Sequence, residues 1–260
     1  MRKLLFFDID GTIWYRDDEI PESTALSIRK LRENGHLTFL CSGRSRCRIQ
    51  NQNLLNLGFD GIISGCGTMI EYRGKVIFCK ELEKSFVEKT ITTVRNYGFR
   101  PLLEGKEYMY MDDEEFANDG FGMLLKKELG KKLLSIKEEW GKWEICKLSC
   151  ITESDKKEEC FSLLEDDYEI MAHNPGVAEF VPKGFNKGTG IAKVCELLGA
   201  DLKDTFAFGD SRNDLEMLEA AGVAVVMGNG SKEAKEAADY VTTDLDEDGI
   251  WNACKHFGLI

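Results

Sequence analysis

At 260 residues, 43% hydrophobic and 31% charged, the chain is long for one compact domain and apolar enough to build a real core under a soluble surface. A formal charge of −12 argues against nucleic acid and anionic membranes as partners, both of which call for basic patches. No run approaches the ~20 apolar residues of a membrane span, and Asp8 interrupts the opening apolar run before a signal-peptide core forms.

Nine cysteines, an odd number with no C-x-x-C pair, argue against a disulfide framework and against zinc. They read as scattered buried thiols in a reducing cytoplasm, and the chain is expected there.

In chain order, "KLLFFDIDGT" opens with a strand, Leu4 to Phe7, apolar enough to be buried on both faces. "IPESTALSIRKLRENG" reads as a helix with Pro21 near its start, Ala25, Ile28 and Leu31 on one face, and Gly35 as a stop. "LTFLCSGR" is a second buried strand. "SRCRIQNQNLLNLG" follows as a helix, "DGIIS" as a short strand, and "TMIEYRGKVIFCKEL" as a hairpin turning at Arg73-Gly74.

The middle of the chain reads differently. It has a helix from Ser85 to Tyr97, weaker strands in "KEYMYM" and "WEICKLSCI", acid-rich helical stretches, and the tail "GVAEFVPKG". Alternation then returns: helix "NKGTGIAKVCELLG", strand "TFAFGD", helix "NDLEMLEAAG", strand "VAVVMG", helix "SKEAKEAA", strand "DYVT" and helix "GIWNACKHFG". Apolar strands alternating with helices predict a parallel sheet covered on both faces, with ligands bound beyond the carboxyl ends of its strands. The fold class is therefore α/β: a Rossmann-like parallel-sheet core made of residues 1–82 and 184–260, with an α+β insertion at 83–183.

Four strand ends and helix starts carry chemistry. Asp8 and Asp10 end the first strand and, at i and i+2, are expected to point the same way and share a site. Gly11 allows a sharp turn and close backbone approach. Two such carboxylates repel unless a cation lies between them, and hard oxygen donors suit Mg²⁺. "CSGR" gives the Ser42 hydroxyl, the Gly43 N–H and Arg44 before a helix, a set suited to phosphate oxygens. "GDSRND" places Asp210, Asn213 and Asp214 after the strand "TFAF", and Lys187 starts a helix as a mobile point charge. Together these parts amount to a phosphoryl-transfer site.

In this order, "DIDGT", "SGR", Lys187 and "GDSRND" resemble the four motifs of the haloacid dehalogenase superfamily of phosphatases. The large insertion between the second and third motifs resembles the α/β cap of the Cof-like subfamily. The resemblance implies roles residue by residue. Asp8 is the nucleophile that forms an aspartyl-phosphate, and Asp10 protonates the leaving alcohol and then activates water. Mg²⁺ is held by Asp8, the backbone carbonyl of Asp10, and Asp210, with Asp214 ligating directly or through water. Ser42 and Lys187 hold phosphoryl oxygens, assisted by Gly43 N–H and Asn213.

The expected activity is Mg²⁺-dependent hydrolysis of a small phosphorylated metabolite, sugar phosphates first. A phosphomutase on the same scaffold or a non-catalytic phospho-ligand sensor remains as an alternative, and oligomeric state is not legible, a monomer being compatible. Asp214 also reads as an N-cap, Arg44 as a structural ion-pair partner, and His173 as a loop histidine. Tyr108, Tyr110 and Phe116 are expected in a core. "SGCG" at 64–67 departs from the asparagine-glycine turn usual in that family. "DLDEDG" matches the start of a calcium loop, but Lys255 stands where its twelfth-position glutamate belongs, so an acidic helix start is expected there instead.

Overall fold

The computed structural model describes every residue except Arg16–Asp18, Asn118, Asn174 and Pro175. In chain order its strands are β1 (Leu4–Phe7), β2 (Leu37–Cys41), β3 (Gly61–Ser64), β4 (Met69–Tyr72), β5 (Lys75–Cys79), β6 (Arg100–Gly105) and β7 (Met109–Tyr110), then β8 (Leu133–Leu134), β9 (Ile145–Ile151), β10 (Tyr168–His173), β11 (Val177–Pro182), β12 (Thr205–Gly209), β13 (Val223–Val226) and β14 (Tyr240–Val241). The helices are α1 (Glu22–Glu33), α2 (Gln52–Leu55), α3 (Lys84–Asn96), α4 (Gly120–Leu129), α5 (Lys157–Ser162), α6 (Lys187–Leu198), α7 (Leu215–Ala220), α8 (Lys232–Glu236) and α9 (Gly249–His256).

Two compact units divide the chain. The first takes residues 1–43, 50–78 and 186–260, and the second takes 44–49 and 79–185. The segment read from sequence as an insertion, 83–183, falls in the second unit, which also takes the short stretch 44–49.

The first unit is built on an eight-stranded sheet ordered β14-β13-β12-β1-β2-β3-β4-β5. Its strands from β14 to β3 run parallel, while β4 pairs antiparallel with β3. β1 sits between β12 and β2, and all four of its residues are buried, as a continuous apolar run in the middle of a doubly covered sheet requires. Phe6 stacks on Phe39 at 5.2 Å between ring centroids and Phe7 on Phe208 at 4.6 Å, so aromatic rings on both faces of β1 tie it to both neighbours. The Arg73-Gly74 turn of the β4–β5 hairpin has positive φ at both residues, 50° and 73°, the backbone a tight two-residue hairpin turn calls for.

One expected helix is not there. Residues 45–58 form a 3₁₀ turn at Arg46–Arg48 and the four-residue α2. Ser45 is extended, and the Asn51 side chain accepts from Leu54 N–H, so the polar side chains of this stretch restart the backbone instead of continuing it. "NDLEMLEAAG" likewise splits into a 3₁₀ turn at Arg212–Asp214 and α7.

The second unit has a six-stranded sheet ordered β10-β11-β9-β6-β7-β8, antiparallel except where β7 meets β8. One face carries Leu103, Leu148, Cys150, Tyr168 and Phe180 and packs against Val87, Ile91 and Val94 of α3. Alternate residues of the same strands, Leu102, Ile151 and Val177, join a second cluster with Phe116 and Leu125. Of the three aromatics expected in a core, Tyr110 and Phe116 lie in these two separate clusters. Tyr108 is 41% exposed, a correction that follows from its position just before the short β7. All nine cysteines are free; Cys79 is half-buried and the others are buried. Among the described residues, no helix is long and apolar enough to cross a membrane.

Candidate active site

The site forms where β1 and β12 end. Asp8 N–H donates to Phe208 O at 2.9 Å, extending the parallel ladder one residue past β1 and holding Asp8 beside the strand that delivers Asp210. Asp8 is 3% exposed and Asp214 fully buried. Lys187, the first residue of α6, reaches both: its Nζ donates to Asp8 Oδ1 and to Asp214 Oδ1, each at 2.6 Å. The helix start that carries Lys187 is fixed by Asn186, whose side chain accepts from Thr189 N–H while Thr189 Oγ1 accepts from Asn186 N–H.

Asp214 is pinned from its other oxygen. Oδ2 accepts from the backbone N–H groups of Asp210 and Ser211 at 3.0 and 3.1 Å, closing the turn after β12. The N-cap reading is corrected: Asp214 stands at the start of α7 but its side chain caps nothing there, because one oxygen closes the preceding turn, as the third-position acid of the box that Ser211 begins, and the other holds the lysine. Asp210 Oδ1 accepts from Thr12 Oγ1 at 3.1 Å. Gly11, at φ +86°, leaves room for that carboxylate: a Cβ here would stand 2.4 Å from Asp210 Oδ2. Only glycine meets both demands.

Among the described residues, Asp8, Asp210 and Asp214 each offer an oxygen within 4.8 Å of the others. Three acids against one lysine leave an excess of negative charge in a buried place. Burial, then the Asp214 and Asp210 charges, pushes the Asp8 carboxyl up to about 8 against the pull of Lys187. Burial and Asp214 push Asp210 up to about 7, with the Thr12 hydrogen bond opposing. Burial works against the Lys187 ammonium, yet Asp214 and Asp8 outweigh it and hold it well above its ordinary value. Such a set of hard oxygen donors, short of positive charge, fits a hard divalent cation.

The remaining expected residues are spread more widely. Ser42 and Gly43 follow β2, which pairs with β1 in register Phe7 to Leu40, so they leave the same edge of the sheet as Asp8. Ser42 is 2% exposed, its N–H bonded to Ile63 O and its carbonyl to Cys66 N–H. Asn213 is exposed, its Oδ1 accepting from Ser211 Oγ at 2.8 Å.

Asp10 departs from the simple i, i+2 expectation. β1 ends at Phe7, so Asp10 lies in the following turn and not on an extended strand; it is exposed, and its Oδ1 accepts from Trp14 Nε1 at 2.9 Å. Its carboxylate is outside the three-acid group. Arg44 belongs to the second unit, as does His173, which ends β10 opposite Val177 and so is not the loop histidine expected; it is exposed, with Nε2 3.6 Å from Glu179 Oε1.

Three residues given no role by the sequence support the site. Thr12 holds Asp210, Trp14 holds Asp10, and Asn229 donates to Gly11 O at 2.8 Å while its Oδ1 accepts from Leu245 N–H. Thr12 follows the acidic motif directly and was legible by position, whereas nothing in the sequence marks Trp14 or Asn229. The "SGCG" turn is also tied in: Gly65, Cys66 and Gly67 all have positive φ, and a Cβ on Gly67 would stand 2.5 Å from Asn186 O, next to Lys187.

Comparison with known proteins bears on this arrangement. The family model of haloacid dehalogenase-like hydrolases matches residues 5–254. The chain belongs to that family. It is 34% identical over 263 residues to YkrA of Bacillus subtilis (strain 168), covering 99% of this chain and 98% of that one. A protein of known structure from Geobacillus kaustophilus HTA426 superposes with a TM-score of 0.88 at 28% identity, each chain covered over 100% of its length. The HAD subclass IIB sugar phosphatase BT4131 superposes with a TM-score of 0.83 at 29% identity, over 99% of this chain and 100% of that one. Within the family the chain is a Cof-like phosphatase, a phosphoric monoester hydrolase with the α/β core and inserted α+β domain of subclass IIB.

Proposed function

We propose that this haloacid dehalogenase-family phosphatase hydrolyses small phosphomonoesters, sugar phosphates foremost, with Mg²⁺ and through an aspartyl-phosphate on Asp8. The observation that carries the reading is Lys187 bonded at 2.6 Å to both Asp8 and Asp214, both buried, with the half-buried Asp210 completing an acidic trio beyond the ends of β1 and β12. Likeness to a sugar phosphatase supports the choice of substrate class.

In this reading an Asp8 carboxylate oxygen attacks phosphorus as the bond to the alcohol oxygen breaks. Asp10 gives its proton to the departing oxygen, then takes one from the water that cleaves the acyl phosphate, which frees phosphate and restores Asp8. Lys187, Ser42, the Gly43 N–H and Asn213 hold the phosphoryl oxygens where charge builds. Asp8, Asp210, the Asp10 carbonyl and Asp214 are the groups that would hold Mg²⁺. When bound, Mg²⁺ neutralises charge on the phosphoryl group and favours the ionised form of Asp8. Selection among esters is assigned to the inserted segment, residues 83–183.

The test is phosphate release with Mg²⁺ across sugar phosphates, nucleotides, pyridoxal phosphate and flavin mononucleotide, with the Asp8→Asn variant alongside. Turnover in the native chain, reduced at least about a thousandfold by the substitution, is expected. Full activity in Asp8→Asn overturns the assignment of the nucleophile. Isomerised sugar phosphate with little free phosphate makes the enzyme a mutase instead.

A further inference from the structure

The reading above leaves Asp10 with a demanding task. Its carboxyl group must stand within hydrogen-bond reach of the leaving oxygen, yet it is exposed, in a turn beyond the end of β1. A carboxyl has two oxygens, and the proton reaches the departing oxygen only from the one that faces it, so which oxygen does so is a choice the fold has to make.

Trp14 restricts that choice. Its indole is 1% exposed, so its ring is fixed by packing, and a buried Nε1–H is held to a partner. That partner is Asp10 Oδ1, at 2.9 Å. The backbone brings the two residues together in a closed turn. Gly11 N–H donates to Trp14 O at 2.8 Å, Ile13 N–H and Trp14 N–H donate to Ile9 O at 3.0 and 3.3 Å, and Asp10 and Trp14 form an isolated bridge. Asn229 anchors the turn from outside through the Gly11 carbonyl.

We propose that Trp14 is the positioning residue for Asp10, an inference that rests on the general acid–base role assigned above. The indole N–H is a donor and never an acceptor. Oδ1 therefore serves as an acceptor for Trp14, and the proton handed to the alcohol rides on Oδ2. As the phosphorus–oxygen bond breaks, the leaving oxygen takes that proton and Asp10 is left as a carboxylate, its Oδ1 still held by the indole. Trp14 does not touch the reacting atoms; it fixes which oxygen of Asp10 meets them.

Trp14→Phe keeps the buried ring and removes only the N–H. The informative quantity is kcat/KM, which covers the steps through departure of the alcohol. It is measured with Mg²⁺ on the sugar phosphate the native enzyme cleaves best and on 4-nitrophenyl phosphate, whose phenolate leaves without needing a proton. The alkyl-to-aryl ratio is expected to fall about tenfold or more in Trp14→Phe, in the same direction as in Asp10→Asn, because acid catalysis contributes about 10²–10⁴ to rate and the aryl ester does not draw on it. Equal fold losses on both esters, which leave the ratio unchanged, make Trp14 a structural residue and overturn the proposal.

A readout free of turnover stands beside it. The indole ¹H–¹⁵N resonance that disappears in Trp14→Phe is expected to move in Asp10→Asn, and a resonance that stays in place overturns the proposal even if Trp14→Phe folds poorly. Failure of the native protein to release phosphate from either ester removes the phosphatase reading and this inference together, whereas turnover with an unmoved ratio removes only this inference.

Discussion

Each unit of the molecule buries a lysine among carboxylates, and the two clusters are built differently. In the first, Lys187 comes from a helix start and meets Asp8 and Asp214 at the ends of parallel strands, with Asp210 beside them. In the second, Lys147 lies within β9, 1% exposed, with Glu179 of β11 at 2.7 Å and Glu104 of β6 at 3.5 Å. Ser149, two residues along β9 on the same face, donates to Glu104 Oε1. Cross-strand neighbours in the middle of a sheet are held by the pleat on every side, so the Lys147 cluster is a fixed part of its framework. The Lys187 cluster rests on turns and carries three acids for one ammonium, against two for Lys147, which leaves it the greater excess of negative charge. Burial of charge alone does not separate the two; the imbalance and the placement at strand ends do.

Removal of each lysine sharpens that contrast. Lys187→Met is expected to lower turnover by at least about a thousandfold, because in the proposed mechanism it removes the fixed cation that holds the phosphoryl oxygens. Its cost in stability at neutral pH is expected to be smaller, since Asp8, already pushed up to about 8, takes a proton, and Asp214, although its Oδ1 loses the ammonium, keeps two backbone donors on Oδ2. Lys147→Met strands Glu104, 2% exposed, and is expected to cost about 3–5 kcal/mol. Urea denaturation of both variants reads this directly. Equal destabilisation in the two erases the distinction drawn here.

The same contrast governs what the sequence could reveal. The opening strand, the parallel alternation and the acidic strand ends were legible because each rests on a local rule: a continuous apolar run, a helix start, a carboxylate where a strand stops. Asp8, Lys187, Asp210 and Asp214 do meet, although their separation in sequence hides it. Asp10 reads as an equal partner of Asp8 only if the strand continues through it, and the strand ends at Phe7. The helix expected over 45–58 failed because Ser45 and Asn51 redirect the backbone through their own conformations and side chains. Trp14, Asn229 and the Glu104–Lys147–Glu179 cluster were invisible for another reason. Their partners are set by packing across turns and strands, and no spacing rule links position 104 to 147 or 229 to 11.

Acidity distinguishes the clusters next. In the protein without a divalent cation, Asp8 and Asp210 titrate near 8 and 7, above their ordinary range. A carboxyl whose folded value is raised contributes stability at low pH and loses it as pH climbs to that value. The melting temperature measured in chelator is therefore expected to decline from about pH 5 to about pH 8 and to level off beyond, at about 2–4 °C per kcal/mol lost. Mg²⁺ competes with those protons, so its apparent affinity is expected to rise with pH over the same window, with protons released on binding and the decline in melting temperature reversed. Calorimetric titration in two buffers of different ionisation heat measures the release. A melting temperature that climbs between pH 6 and 8 in chelator, or cation affinity indifferent to pH, removes the charge imbalance from the account.

The smallest effect separates the clusters by what their hydroxyls do. Thr12 is fully buried and donates to Asp210 Oδ1, and Ser149, 6% exposed, donates to Glu104 Oε1. The two bonds look alike, a hydroxyl on a carboxylate, yet they stand behind different partners. Thr12→Val keeps the shape and removes a donor that favours the ionised form of Asp210, so Asp210 moves still higher and yields its proton less readily. Cation affinity at pH 7 is expected to drop about tenfold, as it does when a supporting group behind a ligand is lost, and to recover as pH rises. Ser149→Ala is expected to leave cation affinity where it was and to cost about 1–2 kcal/mol in stability, because it leaves a buried carboxylate oxygen short of a donor. If Thr12→Val reduces stability alone and leaves affinity untouched, then Asp210 is not a cation ligand tuned by its neighbour, and the first cluster is as much a fixed part of the framework as the second.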